Sequence, residues 1–281
     1  MRTYLECIPC FFRQALEAAQ MVTNDESKQK AVLDAVAKKI PEFPMDATPP
    51  EMGITIHSAV KKAANHTDPY LHLKNIYNEK ALSIYPALRE EVKRAEDPLL
   101  LAIRFAIAGN VIDFGPTSNF DFDRELEEIR TRPFAIFDYE KFKKALSETE
   151  EVLYLGDNAG EIVFDRLLIE TIKKPTVYVV RGEPIINDVT VEDAKKVGID
   201  KIATVITNGS GAPGTILRLC SEEFLSHYQK AGLIISKGQG NYETLSDEKR
   251  PIFFLLKAKC PVIARHLGVK TGDIVLKGPR Q

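Results

Sequence analysis

Acidic and amide side chains stand where a strand pattern changes into a helix pattern, in the segment EVLYLGDNAGEIVFD that starts at Glu151. Residues 152–155 form a short apolar run, and residues 162–169 carry apolar side chains at helical spacing. The turn between them contains Asp157, Asn158 and Glu161. In a parallel α/β sheet, such turns lie at the carboxyl ends of strands, where ligands bind near helix N-termini.

A second segment repeats this arrangement about one βαβ unit, roughly 30 residues, further along the chain. Residues 175–181 have the pattern of a strand, and Asn187 and Asp188 follow them. If both strands end at one sheet edge, two carboxylates and an amide converge there. Such hard oxygen ligands suit Mg²⁺ or Mn²⁺. Turn formation or helix capping explains the same residues about equally well from the pattern alone.

Two further polar turns follow the third and fourth predicted strands. The glycine-rich segment TNGSGAPG contains Ser210 and Gly211, and it is either a plain turn or a backbone cradle for an anion. It has neither the lysine and spacing of a P-loop nor the dinucleotide glycine pattern. In SKGQGN, Lys237 and Gly238 are placed to meet a phosphate, although a surface lysine is an equal alternative.

Other candidate residues give weaker signals. Asn110, in AGNVIDFGP, either caps a helix or reaches over the sheet edge from the helical part of the chain. Cys7 and Cys10 lack a second ligand pair at zinc spacing, which favours buried or loosely functional thiols over a redox pair or half a zinc site. The absence of zinc-hydrolase and serine-hydrolase motifs disfavours those mechanisms.

Composition narrows the class of protein. The 281 residues are 44% hydrophobic and 28% charged, with a net charge of −2, as in ordinary globular proteins. Nothing in this balance favours nucleic acid as a partner. The sequence has no apolar run long enough for a membrane helix and no signal-peptide pattern, so we expect a cytoplasmic protein without a membrane partner.

The hydrophobic periodicity predicts two regions. Residues 1–132 are expected to form an all-helical domain, and residues 133–281 an α/β domain with a mostly parallel sheet in three α/β/α layers. Residues 133–144 are read as a connector and a helix. Strands are predicted at 152–155, 176–180, 202–206, 233–236, 253–257 and 274–276, and helices between them at 162–172, 191–197 and 214–228.

The order of the motifs CIPC, GNVIDFG, GDNAGEIVFD, RGEPIINDVTVEDA, SGAPGT and SKGQGNYETL closely resembles the DUF89 (ARMT1-like) family of metal-dependent phosphatases, in its prokaryotic branch with an N-terminal CxxC. The resemblance implies a helical domain on an α/β domain and a divalent cation at the strand ends. It implies metal ligands at Asp157, Asn158 and Asp188. It also implies further site residues at Asn110, Glu161, Arg181 and Lys237.

The resemblance further implies hydrolysis of phosphate esters of small metabolites, such as sugar phosphates or damaged species, with Mg²⁺, Mn²⁺, Co²⁺ or Ni²⁺. We expect water to attack directly, with Glu161 as base or water-orienting group, rather than through a phosphoenzyme at Asp157. Lys237, Arg181 and backbone N–H groups near Gly211 or Gly238 are expected to neutralise phosphate charge. A non-catalytic phospho-ligand binding module and a protein-carboxyl methyltransferase are the alternatives, and the sequence specifies no oligomeric state.

Overall fold

The computed structural model describes residues 1–109 and 122–279. Strands in this part of the chain form one sheet: β1 (Phe134–Phe137), β2 (Val152–Leu155), β3 (Thr176–Val180), β4 (Thr204–Thr207), β5 (Ile234–Lys237), β6 (Ile252–Lys257) and β7 (Ile274–Lys277). Their spatial order is β1-β7-β6-β5-β2-β3-β4. Strands β2 to β6 run in one direction, whereas β1 and β7 run in the other because β6 and β7 pair antiparallel. The carboxyl ends of five strands therefore lie at one edge.

The helices of the described chain flank this sheet. They are α1 (Cys7–Val22), α2 (Glu26–Lys39), α3 (Pro49–Ala64), α4 (Leu71–Arg94), α5 (Pro98–Gly109), α6 (Phe122–Thr131), α7 (Tyr139–Glu148), α8 (Glu161–Ile172), α9 (Val191–Val197), α10 (Glu222–Lys230), α11 (Gly238–Leu245) and α12 (Pro261–Leu267). None of these helices combines the length and apolar character needed to cross a membrane.

Side chains that alternate along each strand divide the core into two halves. Leu153 and Leu155 pack with helices α1 to α3 and α10 to α12, whereas Val152 and Tyr154 pack with helices α4 to α9. Helices cover both faces, which confirms the predicted mostly parallel sheet in three α/β/α layers. Helices before residue 132 contribute to both halves of the core, and the division of the chain into domains at that point stays a prediction.

Several element boundaries differ from the prediction. Residues 134–137 form β1 rather than a connector, because they pair with β7 at an edge of the sheet. The helix predicted from residue 214 begins only at Glu222, where the Ser221 side chain accepts a hydrogen bond from the Phe224 N–H. The segment after Lys237 forms α11, although two glycines near its start lower its helix propensity.

Candidate metal and phosphate site

The turns after β2 and β3 are fastened to each other by backbone hydrogen bonds. Asn158 and Asp188 form an isolated antiparallel bridge. The Ala159 N–H donates to the Asn187 carbonyl at 2.8 Å, and the Val189 N–H donates to the Asp157 carbonyl at 2.9 Å. The two turns thus bring together the three residues that were predicted as metal ligands, Asp157, Asn158 and Asp188.

The amide of Asn158 lies between two carboxylates. Its Nδ2 donates to Asp157 Oδ2 at 2.8 Å and to Glu161 Oε2 at 3.2 Å. The partly positive amide hydrogens of Asn158 therefore lie between the carboxylates of Asp157 and Glu161. A cation would be attracted to the same position. Turning the amide by 180° presents its oxygen there instead. Among residues 1–109 and 122–279, no three His, Cys, Asp or Glu side chains are close enough together to bind one metal ion.

Arg181, the residue that follows β3, is buried against the carboxylates of Asp157 and Asp188. Its Nε donates to Asp188 Oδ2 at 2.7 Å, and its Nη2 lies 3.8 Å from Asp157 Oδ1. Nη2 also donates to Asn241 Oδ1 at 3.4 Å, and Thr215 Oγ1 donates to that same oxygen at 2.8 Å. Arg181 thereby connects the turns after β2 and β3 to helix α11.

Lys237, the last residue of β5, is fully buried beneath the site. Its Nζ donates to Glu161 Oε1 at 2.6 Å, to Asp165 Oδ1 at 2.6 Å and to the Ala106 carbonyl at 2.7 Å. Burial opposes its charge, but the two carboxylates outweigh burial and raise the pKa of Lys237. All three ammonium protons point at protein oxygens, so a phosphate contact requires one of these bonds to break.

The tyrosines Tyr154 and Tyr178 complete the surroundings of Asp165. Their hydroxyls donate to its two carboxylate oxygens, each at 2.7 Å. Sequence reasoning did not assign Asp165 a role. Its position four residues after Glu161, among the apolar residues of the first part of α8, was the available signal, because two carboxylates on one buried helix face require a cation as partner.

The site holds more carboxyl groups than cationic side chains. Burial raises the pKa of Asp157 well above its usual value, with Glu161 and Asp188 adding to the rise and Arg181 and Lys259 opposing it. Burial also raises the pKa of Asp188 against the effect of Arg181. Among the described residues of this cluster, four buried carboxyl groups face two buried cationic side chains. The carboxyl groups belong to Asp157, Glu161, Asp165 and Asp188, and the cationic side chains are Arg181 and Lys237. The oxygen atoms of Asp157, Asn158 and Asp188 are of the kind that suits a divalent cation, which would offset the excess of carboxyl groups.

Gly238 lets helix α11 approach the first turn closely. Its φ of +77° is in the left-handed region, and a Cβ at this position would lie 1.8 Å from Asp157 Oδ2. The backbone of Gly238 therefore lies directly against the proposed ligand, where no larger residue fits without displacing the carboxylate.

The turn after β4 is folded largely onto itself. The Ser210 N–H donates to Asn208 Oδ1 at 2.9 Å, and Ser210 Oγ accepts from the Ala212 N–H at 3.2 Å. Gly211 lies against Glu183, since a Cβ on it would be 3.1 Å from the Glu183 Cβ. An anion-binding role for Ser210 and Gly211 stays a prediction.

The remaining predicted residues are less informative. Asn110 lies outside the described residues, although Gly109 abuts the site: a Cβ on it would lie 3.0 Å from Glu161 Cα. Cys7 is a buried free thiol whose pKa is raised mainly by burial. Cys10 is a half-buried free thiol.

Comparison with known proteins identifies the family. A model described as the damage-control phosphatase ARMT1-like domain matches residues 3–275. The chain is 37% identical to a damage-control phosphatase of Pyrococcus horikoshii, over 98% of this chain and 97% of the relative. It is also 37% identical to a damage-control phosphatase of Archaeoglobus fulgidus, over 96% of this chain and 97% of that protein.

Two further similarities extend over nearly the whole chain. An uncharacterized protein of Methanocaldococcus jannaschii is 41% identical, over 96% of this chain and 93% of its own. The crystal structure of a DUF89 family protein from Pyrococcus horikoshii superposes with a TM-score of 0.90 and 34% identity, covering 100% of both chains. The chain belongs to the ARMT1-like (DUF89) family of damage-control phosphatases.

Proposed function

We propose that this protein is a metal-dependent phosphatase that hydrolyses phosphate esters of small metabolites, including sugar phosphates and damaged species. The observation that carries the proposal is the cluster of buried residues at the carboxyl edge of the sheet, which has four carboxyl groups against two cationic side chains in the described residues. Such a cluster is costly without a cation, and a cation held at this edge is well placed to meet a phosphate.

We assign the cation to Asp157, Asn158 and Asp188, with Mg²⁺, Mn²⁺, Co²⁺ and Ni²⁺ as the candidate ions. Two carboxylates and an amide supply the oxygen ligands that small divalent cations prefer. A cation held by them would supply Lewis-acid polarisation of a phosphoryl group.

Glu161 is assigned the role of orienting the attacking water or accepting its proton. One of its oxygens is held by Lys237 at 2.6 Å, and the other faces the Asn158 amide at 3.2 Å. This ion pair fixes the carboxylate in the interior of the site, next to two of the proposed ligands. A fixed base needs no reorganisation before it acts.

Lys237 is better suited to hold Glu161 than to bind phosphate, because its three protons are all donated to protein oxygens. We assign charge neutralisation at the phosphate to Arg181 and to Lys259, an exposed lysine in the turn after β6. The charges of both residues act on Asp157, where they oppose the rise of its pKa that burial causes.

The test is phosphate release from a panel of sugar phosphates and an aryl phosphate, with each cation supplied in turn and with a chelator as control. We expect cation-dependent release that is lost in Asp157→Ala. Asp200→Ala, which removes an exposed carboxylate, is the matched control and should retain full activity. Folded, cation-bound protein that releases no phosphate from any substrate would refute the proposal.

A further inference from the structure

A buried polar cluster beside the candidate site joins helix α4 to both of the turns that carry the proposed ligands. Asn78 is fully buried and Lys74 is 1% exposed, and both contact Asp193 on helix α9. Asp68 accepts a further bond from Lys74, with Nζ and Oδ2 2.9 Å apart. Hydrogen bonds shielded from water in this way hold their geometry more strictly than exposed ones.

Asn78 holds the end of the first turn. Its Oδ1 accepts from the Gly160 N–H at 2.7 Å, and its Nδ2 donates to Asp193 Oδ1 at 3.1 Å. Gly160 lies two residues after Asn158 and precedes the first residue of α8 with a φ of +79°. A side chain from helix α4 therefore fixes the point at which the turn enters the helix.

Asp193 holds the end of the second turn. Its Oδ2 accepts from the Thr190 N–H at 3.0 Å, from Thr190 Oγ1 at 2.8 Å and from Lys74 Nζ at 3.0 Å. Thr190 lies two residues after Asp188. One carboxylate, supported by Lys74 and Asn78, thus connects the second turn to the same helix that fixes the first.

We propose that Asn78 and Lys74 are positioning residues that hold the two turns at the separation the cation requires. The inference rests on the proposed function, because it assumes that Asp157, Asn158 and Asp188 bind the ion. Ligands already placed in the folded protein lose less freedom when the ion binds. Removing a residue that is hydrogen-bonded to a metal ligand commonly weakens metal binding by about 10- to 100-fold. Asn78 acts two residues away from Asn158, through Gly160, so we expect an effect at the lower end of this range.

The experiment measures the dissociation constant for Mn²⁺ by calorimetric titration, together with the thermal midpoint of the metal-free protein. Asn78→Ala is expected to weaken Mn²⁺ binding by at least about tenfold. Asn78→Asp keeps an oxygen for the Gly160 N–H but loses the donor to Asp193 Oδ1 and faces that carboxylate with a like charge, so it should restore the affinity only in part. Arg89→Ala is the matched control, because Arg89 joins helix α4 to helix α8 through Glu170 at 2.7 Å and contacts neither turn.

Each outcome decides the inference. A lower thermal midpoint with unchanged Mn²⁺ affinity in Asn78→Ala would show a merely structural role and overturn it. Equal weakening in Arg89→Ala would overturn it as well, and so would failure of both Asn78 variants to fold. If the unsubstituted protein binds no Mn²⁺, Co²⁺, Ni²⁺ or Mg²⁺, the proposed function itself fails, which is a separate result.

Discussion

Burial decides what Lys237, the last residue of β5, can bind. As a residue between a strand and two glycines, Lys237 is a reasonable phosphate ligand. Its counter-charges come from positions 76 and 72 residues away, Glu161 and Asp165, and only the folded chain brings them together. We therefore propose that Lys237 acts on the site through Glu161 and Asp165, which it holds.

Lys237→Met is expected to destabilise the protein by about 3–5 kcal/mol, because it leaves two buried carboxylates without their cation. Urea denaturation measures the change. Lys230→Met, at an exposed position on α10, is the control and should stay within about 0.5 kcal/mol of the parent protein. Unchanged stability in Lys237→Met, with only weaker substrate binding, would restore the phosphate-ligand interpretation.

Glu243 on α11 gives a pH dependence of stability. Burial raises its pKa to about 7. An acid whose pKa is higher in the folded state binds more protons there, so its contribution to stability falls as the pH rises from about 4.5 to about 7. We expect Glu243→Gln to be more stable than the parent protein at pH 8, by on the order of 3 kcal/mol, and nearly equal to it at pH 4.5.

Denaturation curves at both pH values test this difference. Gln239 Nε2 donates a hydrogen bond to Glu243 Oε1 at 3.0 Å, and the side-chain oxygen of the glutamine in Glu243→Gln can accept the same bond. Glu248→Gln, at an exposed position, should follow the parent protein at both pH values. A parallel pH dependence in Glu243→Gln and the parent protein would contradict the assignment.

The first residue of helix α11, Gly238, limits the space available to the Asp157 carboxylate. Gly238→Ala places a methyl group 1.8 Å from the present position of Asp157 Oδ2, so the carboxylate must turn away. We expect loss of divalent-cation binding, together with a backbone cost of about 1–2 kcal/mol from the left-handed conformation. Calorimetric titration with Mn²⁺ and urea denaturation measure the two effects separately.

Gly268→Ala is the matched control for this prediction. Gly268 has a φ of +75°, and a Cβ there would meet nothing within 4 Å. It should therefore lose a similar amount of stability and keep its cation affinity. Equal Mn²⁺ affinity in the two variants would show that the close approach of α11 is irrelevant to the ligand.

Elements whose signal is local were predictable from the sequence, and elements that depend on distant partners were not. Strands β2 and β3 are continuous apolar runs and were predicted with their correct bounds. Strand β1 follows a proline that was read as part of a connector, and it depends on pairing with β7, about 140 residues further along the chain. The proposed ligands Asp157 and Asp188 were found because they follow strands, whereas Asn78 lies within a helix, 82 residues before its partner Gly160.

Cations and protons compete for the carboxyl groups of the site, and this competition makes the stability of the whole molecule depend on pH. A divalent cation that binds only the folded protein raises its stability by about 2.7 kcal/mol at 100 times the dissociation constant. Because the pKa values of Asp157 and Asp188 are raised, protons displace the cation at low pH. We expect Mn²⁺ to raise the thermal midpoint more at pH 8 than at pH 5, as calorimetric melting can measure.

Asp157→Ala separates this effect from general binding of cations to the surface. The variant should show no change in thermal midpoint with Mn²⁺ at either pH. A Mn²⁺ effect of equal size at pH 5 and pH 8, or one that survives in Asp157→Ala, would show that the ion acts elsewhere on the protein.

The position of β7 between β1 and β6 has a consequence for biosynthesis. Strand β1 is translated first among the strands of this sheet, yet its partner in the sheet order, β7, is translated last. Until residues 274–277 leave the ribosome, β1 has nothing to pair with, and β6 presents an open edge to other nascent chains. Completion of the sheet therefore waits for residues 274–277, and a chain whose synthesis stalls before this strand keeps an open sheet edge that favours aggregation.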